Sequence, residues 1–202
     1  MSTPNWDERF AGEGFLYGTE PAPFVTKNAG SLPERSRVLS IADGEGRNSV
    51  WLAEQGADVT AMDASRVAIE KAQTFAAERG VIVAFNHGDV MSWPWDAAQY
   101  DVVLGVFFQF LPPKERAVVF QGLDRALRPG GTLMLHGFAP RQVEYGSGGP
   151  PHAENMYTLP LLREAFPSYS IAHEADYDAE IHSGAGHNGM AALIDFVAHK
   201  PG

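Results

Sequence analysis

Val38-Leu39-Ser40-Ile41-Ala42-Asp43-Gly44-Glu45-Gly46-Arg47-Asn48 runs from an apolar stretch directly into a glycine-bearing turn. Residues 37–42 are short and apolar without alternation, which predicts a strand buried on both faces. Gly44 and Gly46 let the backbone turn where a side chain would collide with a bound molecule. Residues 47–55 read as a helix that Gly56 stops. A strand, a glycine turn and a helix in that order open an α/β unit.

The order repeats downstream. Residues 58–63 form the next strand, and Ser65 caps a helix whose apolar face is Ile69, Ala72, Phe75 and Ala76 and which ends at Gly80. Residues 81–85 and 100–107 are the third and fourth strands. Pro112 and Pro113 suit the first turn of a helix with the stripe Val119, Phe120, Leu123, Ala126 and Leu127. Pro129-Gly130-Gly131 turns the chain into a fifth strand, 132–138. A long loop, 139–151, precedes a short helix at 158–166. Strands at 169–177 and 190–200 close the chain, and the stretch between them has no helix to serve as a parallel crossover, so the last strand is antiparallel. The fold expected is α/β: a doubly wound, mostly parallel seven-stranded sheet in three layers, with 1–202 a single domain.

Composition narrows the function. A chain of 202 residues with 45% hydrophobic and 20% charged residues matches a globular domain. A net charge of -10 without a Lys/Arg cluster argues against a nucleic-acid partner. The absence of cysteine excludes disulfides, thiolate metal sites and a thiol nucleophile. No stretch approaches the roughly 20 apolar residues of a membrane span, and the N-terminus lacks a signal-peptide pattern. A cytoplasmic protein with no membrane partner is expected; oligomeric state is not legible.

In an open parallel sheet a ligand sits beyond the C-terminal strand ends, near the switch in strand order. The loop 42–48 stands there after the first strand. Asp63 ends the second strand, and Asp89, in His87-Gly88-Asp89-Val90, follows the third. A carboxylate at the first position can accept from both ribose hydroxyls, and one at the second from an exocyclic amine. A dinucleotide fingerprint needs a further glycine where Ser49 stands, and a pyrophosphate would meet Asp43 and Glu45. Those acids suit a cofactor bearing a sulfonium and an ammonium instead.

These segments resemble the class I S-adenosylmethionine-dependent methyltransferases over nearly the whole chain. Residues 38–46 are similar to the family's glycine motif, Asp63 to its ribose acid, Gly88-Asp89-Val90 to its adenine-side segment, and Leu127-Arg128-Pro129-Gly130-Gly131 to the turn before strand five. Trp6-Asp7-Glu8-Arg9-Phe10, Tyr17-Gly18-Thr19-Glu20-Pro21, Gly44-Glu45-Gly46-Arg47-Asn48 and Glu180-Ile181-His182 resemble the tellurite-resistance-type branch. The resemblance implies a Rossmann-like fold, S-adenosylmethionine as cofactor, S-adenosylhomocysteine as product, and a small-molecule acceptor such as a thiol or a metalloid oxyanion. It also implies that residues 1–30 cover the cofactor. The cofactor-binding set is Tyr17, Asp43, Gly44, Glu45, Gly46, Asn48, Asp63, Ala64, Ser65, Gly88, Asp89, Val90, Val106 and Phe107.

Two positions depart from the family pattern. Ser40 replaces the usual acid at the start of the glycine motif, leaving Asp43 or Glu45 to meet the cofactor's ammonium, and Phe110 stands where related sequences carry a histidine. Direct displacement from a sulfonium needs alignment and exclusion of water more than a catalytic group. His182 and His187, in the loop before the last strand, are the catalytic candidates, and no acid at a recognisable spacing makes them metal ligands. His136, inside strand five, reads as a packed histidine, and Arg141 with its glycine-rich loop as a possible lid. Trp93, Trp95, Phe107, Phe108 and Phe110 are either core or an apolar acceptor wall. The alternatives are an NAD(P)-dependent oxidoreductase and a non-catalytic S-adenosylmethionine-binding sensor.

Overall fold

Arg37–Ile41 (β1) pairs in parallel with Asp58–Asp63 (β2) on one side and Tyr100–Val106 (β4) on the other. The molecule is a computed structural model that describes residues 5–29 and 32–202. Ala84–His87 (β3) extends the sheet beyond β2, and Leu127–Phe138 (β5) beyond β4. Ser170–Ser183 (β6) and His187–His199 (β7) complete a seven-stranded sheet in the order β3-β2-β1-β4-β5-β7-β6, with β7 antiparallel to both neighbours. The strand order reverses between β1 and β4, so a crevice opens beyond the C-terminal end of β1.

Short helices Trp6–Phe10 (α1) and Pro23–Ala29 (α2) precede the sheet, and Arg47–Glu54 (α3) and Arg66–Arg79 (α4) cross between β1, β2 and β3. Pro113–Ala126 (α5) joins β4 to β5; Gln142–Tyr145 (α6) and Leu159–Ala165 (α7) lie between β5 and β6. Alternate residues of the parallel strands feed opposite cores, as burial on both faces requires. Leu39, Ile41, Val103, Leu133 and Leu135 meet Val119 and Leu123 of α5 and Leu162 of α7. Val38, Val59, Val102 and Leu104 meet Phe24 and Val25 of α2 and Leu52 of α3. The three layers expected from the sequence are present.

Three differences have physical causes. The third strand starts at Ala84 rather than Val81, because the Gly80 αL cap directs the Val81 amide to the Ala76 carbonyl and pairing with β2 begins only at Thr60↔Ala84. The expected loop 178–189 is mostly strand: β6 and β7 pair as far as Ser183↔His187, leaving Gly184, Ala185 and Gly186 as the turn. The loop 139–151 holds α6 and is pinned by Arg141, which pairs with Asp176 at 2.5 Å and Asp178 at 2.8 Å.

Candidate functional site

The crevice beyond β1 is a cavity of about 1090 Å³, counting the open space at its mouth. Its floor is the glycine turn, held by three positive φ angles: 46° at Ala42, 64° at Gly44 and 89° at Gly46. Of the residues expected to bind cofactor, Tyr17, Asp43, Gly44, Glu45, Asn48, Asp63, Ala64, Gly88, Asp89, Val90, Val106 and Phe107 line this cavity. Gly46 and Ser65 do not. A Cβ on Gly46 would lie 2.9 Å from that of Ala72, so this glycine lets α3 approach α4. Ser65 caps α4, accepting from the Ala68 amide at 3.1 Å and donating to Asp7 Oδ1 at 2.6 Å.

Asp63 is buried at the tip of β2, and each carboxylate oxygen accepts a backbone amide: Oδ2 from Gly44 and Oδ1 from Ser65, both at 2.8 Å. Those bonds fix its orientation and leave each oxygen a lone pair to offer. Burial raises its pKa, against the pull of these amides. Asp89 stands exposed at the rim, with Oδ1 accepting from the Met91 amide at 2.8 Å.

The two acids of the glycine turn differ sharply. Glu45 is committed: it accepts from the Leu16 amide at 2.7 Å and pairs with Lys71 at 3.0 Å. Lys71 also donates to the Gly12 and Gly14 carbonyls at 2.8 and 2.7 Å. Asn48 accepts from the Ala22 amide at 2.9 Å. Both side chains therefore tie down the N-terminal segment. Asp43 instead accepts from the Ser40 and Ser49 hydroxyls at 2.6 and 2.5 Å and forms no ion pair among the described residues, although the charge of Arg47 reaches it. Enclosure pushes its pKa up to about 6, the two serines opposing and Asp63 adding to the rise. Ser40, where the resemblance leads one to expect an acid, is thus a hydrogen-bond donor to Asp43.

His187 lines the cavity, and His182 does not. His182 is exposed near the hairpin turn, with Nδ1 2.8 Å from Asn188 Oδ1, because the extended hairpin carries it onto the outer face of β6. His187 lies among the rings of Tyr17, Phe107 and Phe138 at 4.5, 4.7 and 5.1 Å. Its Nδ1 is buried without a hydrogen-bond partner among the described residues. Burial, then the charges of Arg47 and Arg9, depress its pKa to about 3, so the ring is neutral near pH 7. The loop expected as a lid backs this histidine instead: a Cβ on Gly148 would meet His187 Cδ2 at 2.7 Å.

His136 is packed, as expected, between Phe24 and Phe107, with Nδ1 2.7 Å from Asp195 Oδ1. The aromatic group divides: Phe107 and Phe110 line the cavity, whereas Phe108 is core and Trp93 and Trp95 pack on Gly88 and Gly122. Trp6, Phe10 and Arg47 also line the cavity without having been assigned there from sequence. The signal for the first two lay in the motif Trp6-Asp7-Glu8-Arg9-Phe10, whose place in space the sequence did not state. Residues 1–4 and 30 of the expected covering segment lie outside the described residues; Trp6, Phe10, Tyr17 and Gly18 reach the cavity. Among the described residues, no cluster of His, Cys, Asp and Glu could hold a metal, and no helix is long and apolar enough to cross a membrane.

This sheet order, with its crevice at the switch point, is that of a Rossmann-like methyltransferase fold, and residues 38–131 match the family model described as a methyltransferase domain. Among particular relatives, the chain is 28% identical over 152 residues to the 2-heptyl-1-hydroxyquinolin-4(1H)-one methyltransferase of Mycobacteroides abscessus, covering 74% of this chain and 65% of that protein. It is 32% identical over 130 residues to the cypemycin N-terminal methyltransferase of a Streptomyces species, covering 63% and 50%. An uncharacterised Mycobacterium tuberculosis protein is 29% identical over 111 residues, of which the chain spans 40%. TehB of Haemophilus influenzae superposes with a TM-score of 0.71 at 18% identity, covering 87% of this chain and 61% of that one. A structure from echinomycin biosynthesis, where a disulfide becomes a thioacetal, superposes with 0.77 at 19% identity, covering 96% and 88%. These two likenesses concern the fold.

Proposed function

We propose that the protein transfers a methyl group from S-adenosylmethionine to a small-molecule nucleophile, within one domain over 1–202 and in the cytoplasm. The observation that carries this reading is Asp43. Its carboxyl group lies in the glycine turn, where a dinucleotide would place its pyrophosphate, and its side-chain hydrogen bonds come from two hydroxyls, with no ion pair to it among the described residues. Ser49, at the position of the missing glycine, donates to that carboxylate. An anion is opposed there and an ammonium is favoured. NAD is therefore disfavoured by charge as well as by the glycine count.

The donor set fits the cofactor. Asp63 accepts from the ribose hydroxyls with the oxygens its two amides leave free, Asp89 accepts from the adenine amine, and Asp43 faces the ammonium. When bound, S-adenosylmethionine supplies an electrophilic methyl on a sulfonium, and S-adenosylhomocysteine leaves. The chain's residues hold, align and exclude water. His187, neutral with a pKa of about 3, orients an acceptor rather than keeping its proton. Exposed His182 has no part in this arrangement. Support for a small acceptor comes from the hydroxyquinolone relative, and from the branch resemblance, which suggests thiols or metalloid oxyanions. Of these, an oxyanion finds little help: Arg47 is turned to the Tyr17 carbonyl at 3.2 Å. Asp43→Asn tests the reading: affinity for S-adenosylmethionine should fall at pH 7.5 by about tenfold or more. Unchanged affinity would show that Asp43 does not meet the ammonium.

A further inference from the structure

Asp43, Glu45, Asp63, Asp89 and Glu115 put five carboxylates on the cavity wall, and Arg47 is the one lysine or arginine among the described residues that line it. Much of the remaining wall is rings: Trp6, Phe10, Tyr17, Phe107, Phe110 and His187, which is neutral near pH 7. Arg47 opens α3 directly after the glycine turn and is 8% exposed. It forms no ion pair among the described residues. A charge enclosed in this way without a counter-ion is costly, and a ligand that brings the counter-ion recovers part of that cost. Burial lowers its pKa only to about 10, so it keeps its proton at neutral pH.

A guanidinium carries five N–H groups, and the Tyr17 carbonyl takes one of them, on Nη1 at 3.2 Å. The others are not sealed away: among the described residues the buried side-chain atoms without a partner are Tyr157 Oη and His187 Nδ1. Nε and Nη2 of Arg47 therefore reach open space, and the cavity is the space that this residue lines.

Resting on the methyltransferase reading, we propose that Arg47 binds the carboxylate of the cofactor's amino-acid end, so that Asp43 and Arg47 together hold a zwitterion. Ammonium and carboxylate sit on one carbon, so a group that meets Asp43 brings its carboxylate to the same end of the cavity. The charge of Arg47 reaches Asp43 there without an ion pair forming between them. One cation beside one anion suits a zwitterion and not the two charges of a pyrophosphate. The other polar side chains of the turn are committed: Ser40 and Ser49 to Asp43, Glu45 to Lys71 and Asn48 to the Ala22 amide. Glu115, exposed in the first turn of α5, adds negative charge and cannot hold an anion. An oxyanion acceptor would have to compete with the cofactor for the same guanidinium.

The test is isothermal titration at pH 7.5 of wild type, Arg47→Met and Arg47→Lys with S-adenosylhomocysteine and with decarboxylated S-adenosylhomocysteine, which keeps the ammonium. The wild type should bind S-adenosylhomocysteine at least about tenfold more tightly than the decarboxylated compound. Arg47→Met should abolish that preference by weakening S-adenosylhomocysteine alone, and Arg47→Lys should keep part of it. Equal affinities in the wild type, or a preference that survives in Arg47→Met, would overturn the proposal. So would binding of sodium tellurite to the S-adenosylhomocysteine-saturated wild type that Arg47→Met removes, because the cation would then belong to the acceptor. The wild-type comparison of the two ligands stands even if a variant does not fold. Failure of both ligands to bind would overturn the cofactor reading instead.

Discussion

Asp43 concentrates the tension between stability and function. Its folded pKa of about 6 lies above the ordinary 3.8, so the fold favours the protonated form. The sign follows: the cost is absent below pH 4, grows as pH rises through the window from 4 to 6, and is complete at pH 7, on the order of 2–3 kcal/mol. Asp43→Asn should therefore raise the Tm of the ligand-free protein at pH 7.5 and give little gain at pH 4, as calorimetric melts would show. The same titration should weaken S-adenosylmethionine binding to the wild type below pH 6, where the carboxylate is lost. Tyr157 gives a simpler case: its hydroxyl is fully buried without a partner among the described residues, so Tyr157→Phe should be neutral or stabilising by about 1 kcal/mol in urea melts. Ala42 holds a φ of 46°, and Ala42→Gly should likewise stabilise by about 1 kcal/mol.

At the scale of elements, the N-terminal segment is a strap secured from two sides. Lys71 on α4 holds Gly12, Gly14 and Glu45, while the hairpin turn receives Leu16, whose carbonyl accepts from the Gly186 amide at 3.0 Å. A Cβ on Gly186 would collide with the Tyr17 ring, so the turn and the strap are fitted to each other. Lys71→Met should speed amide exchange over residues 12–18 by about tenfold while leaving that of the central strands unchanged. This closure was hardly legible in the sequence. β1, β2 and β4 were, because buried parallel strands leave continuous apolar runs. The hairpin extension was missed although Tyr177, Ala179 and Ile181 alternate with Asp178, Glu180 and His182, since glycines and acids around that alternation read as loop. The length of that hairpin decides which histidine reaches the cavity, and with it the placement of His187 rather than His182.

For the whole molecule, the sheet order brings residues from distant parts of the chain to one crevice, and strand-end acids there were readable because topology alone fixes where strands end. The ring wall was not readable, because Trp6 and Phe10 arrive through tertiary contacts of a short helix, α1, whose neighbours no local pattern specifies. Ligand binding to the folded form should stabilise it by about 2.7 kcal/mol at a hundredfold excess over Kd. Isothermal titration at pH 7.5 with S-adenosylmethionine and with NAD, on wild type and Asp63→Ala, tests the central claim directly. The account predicts binding of S-adenosylmethionine alone, weakened by about 1–3 kcal/mol in Asp63→Ala. Binding of NAD without S-adenosylmethionine, or equal affinity in Asp63→Ala, would contradict it.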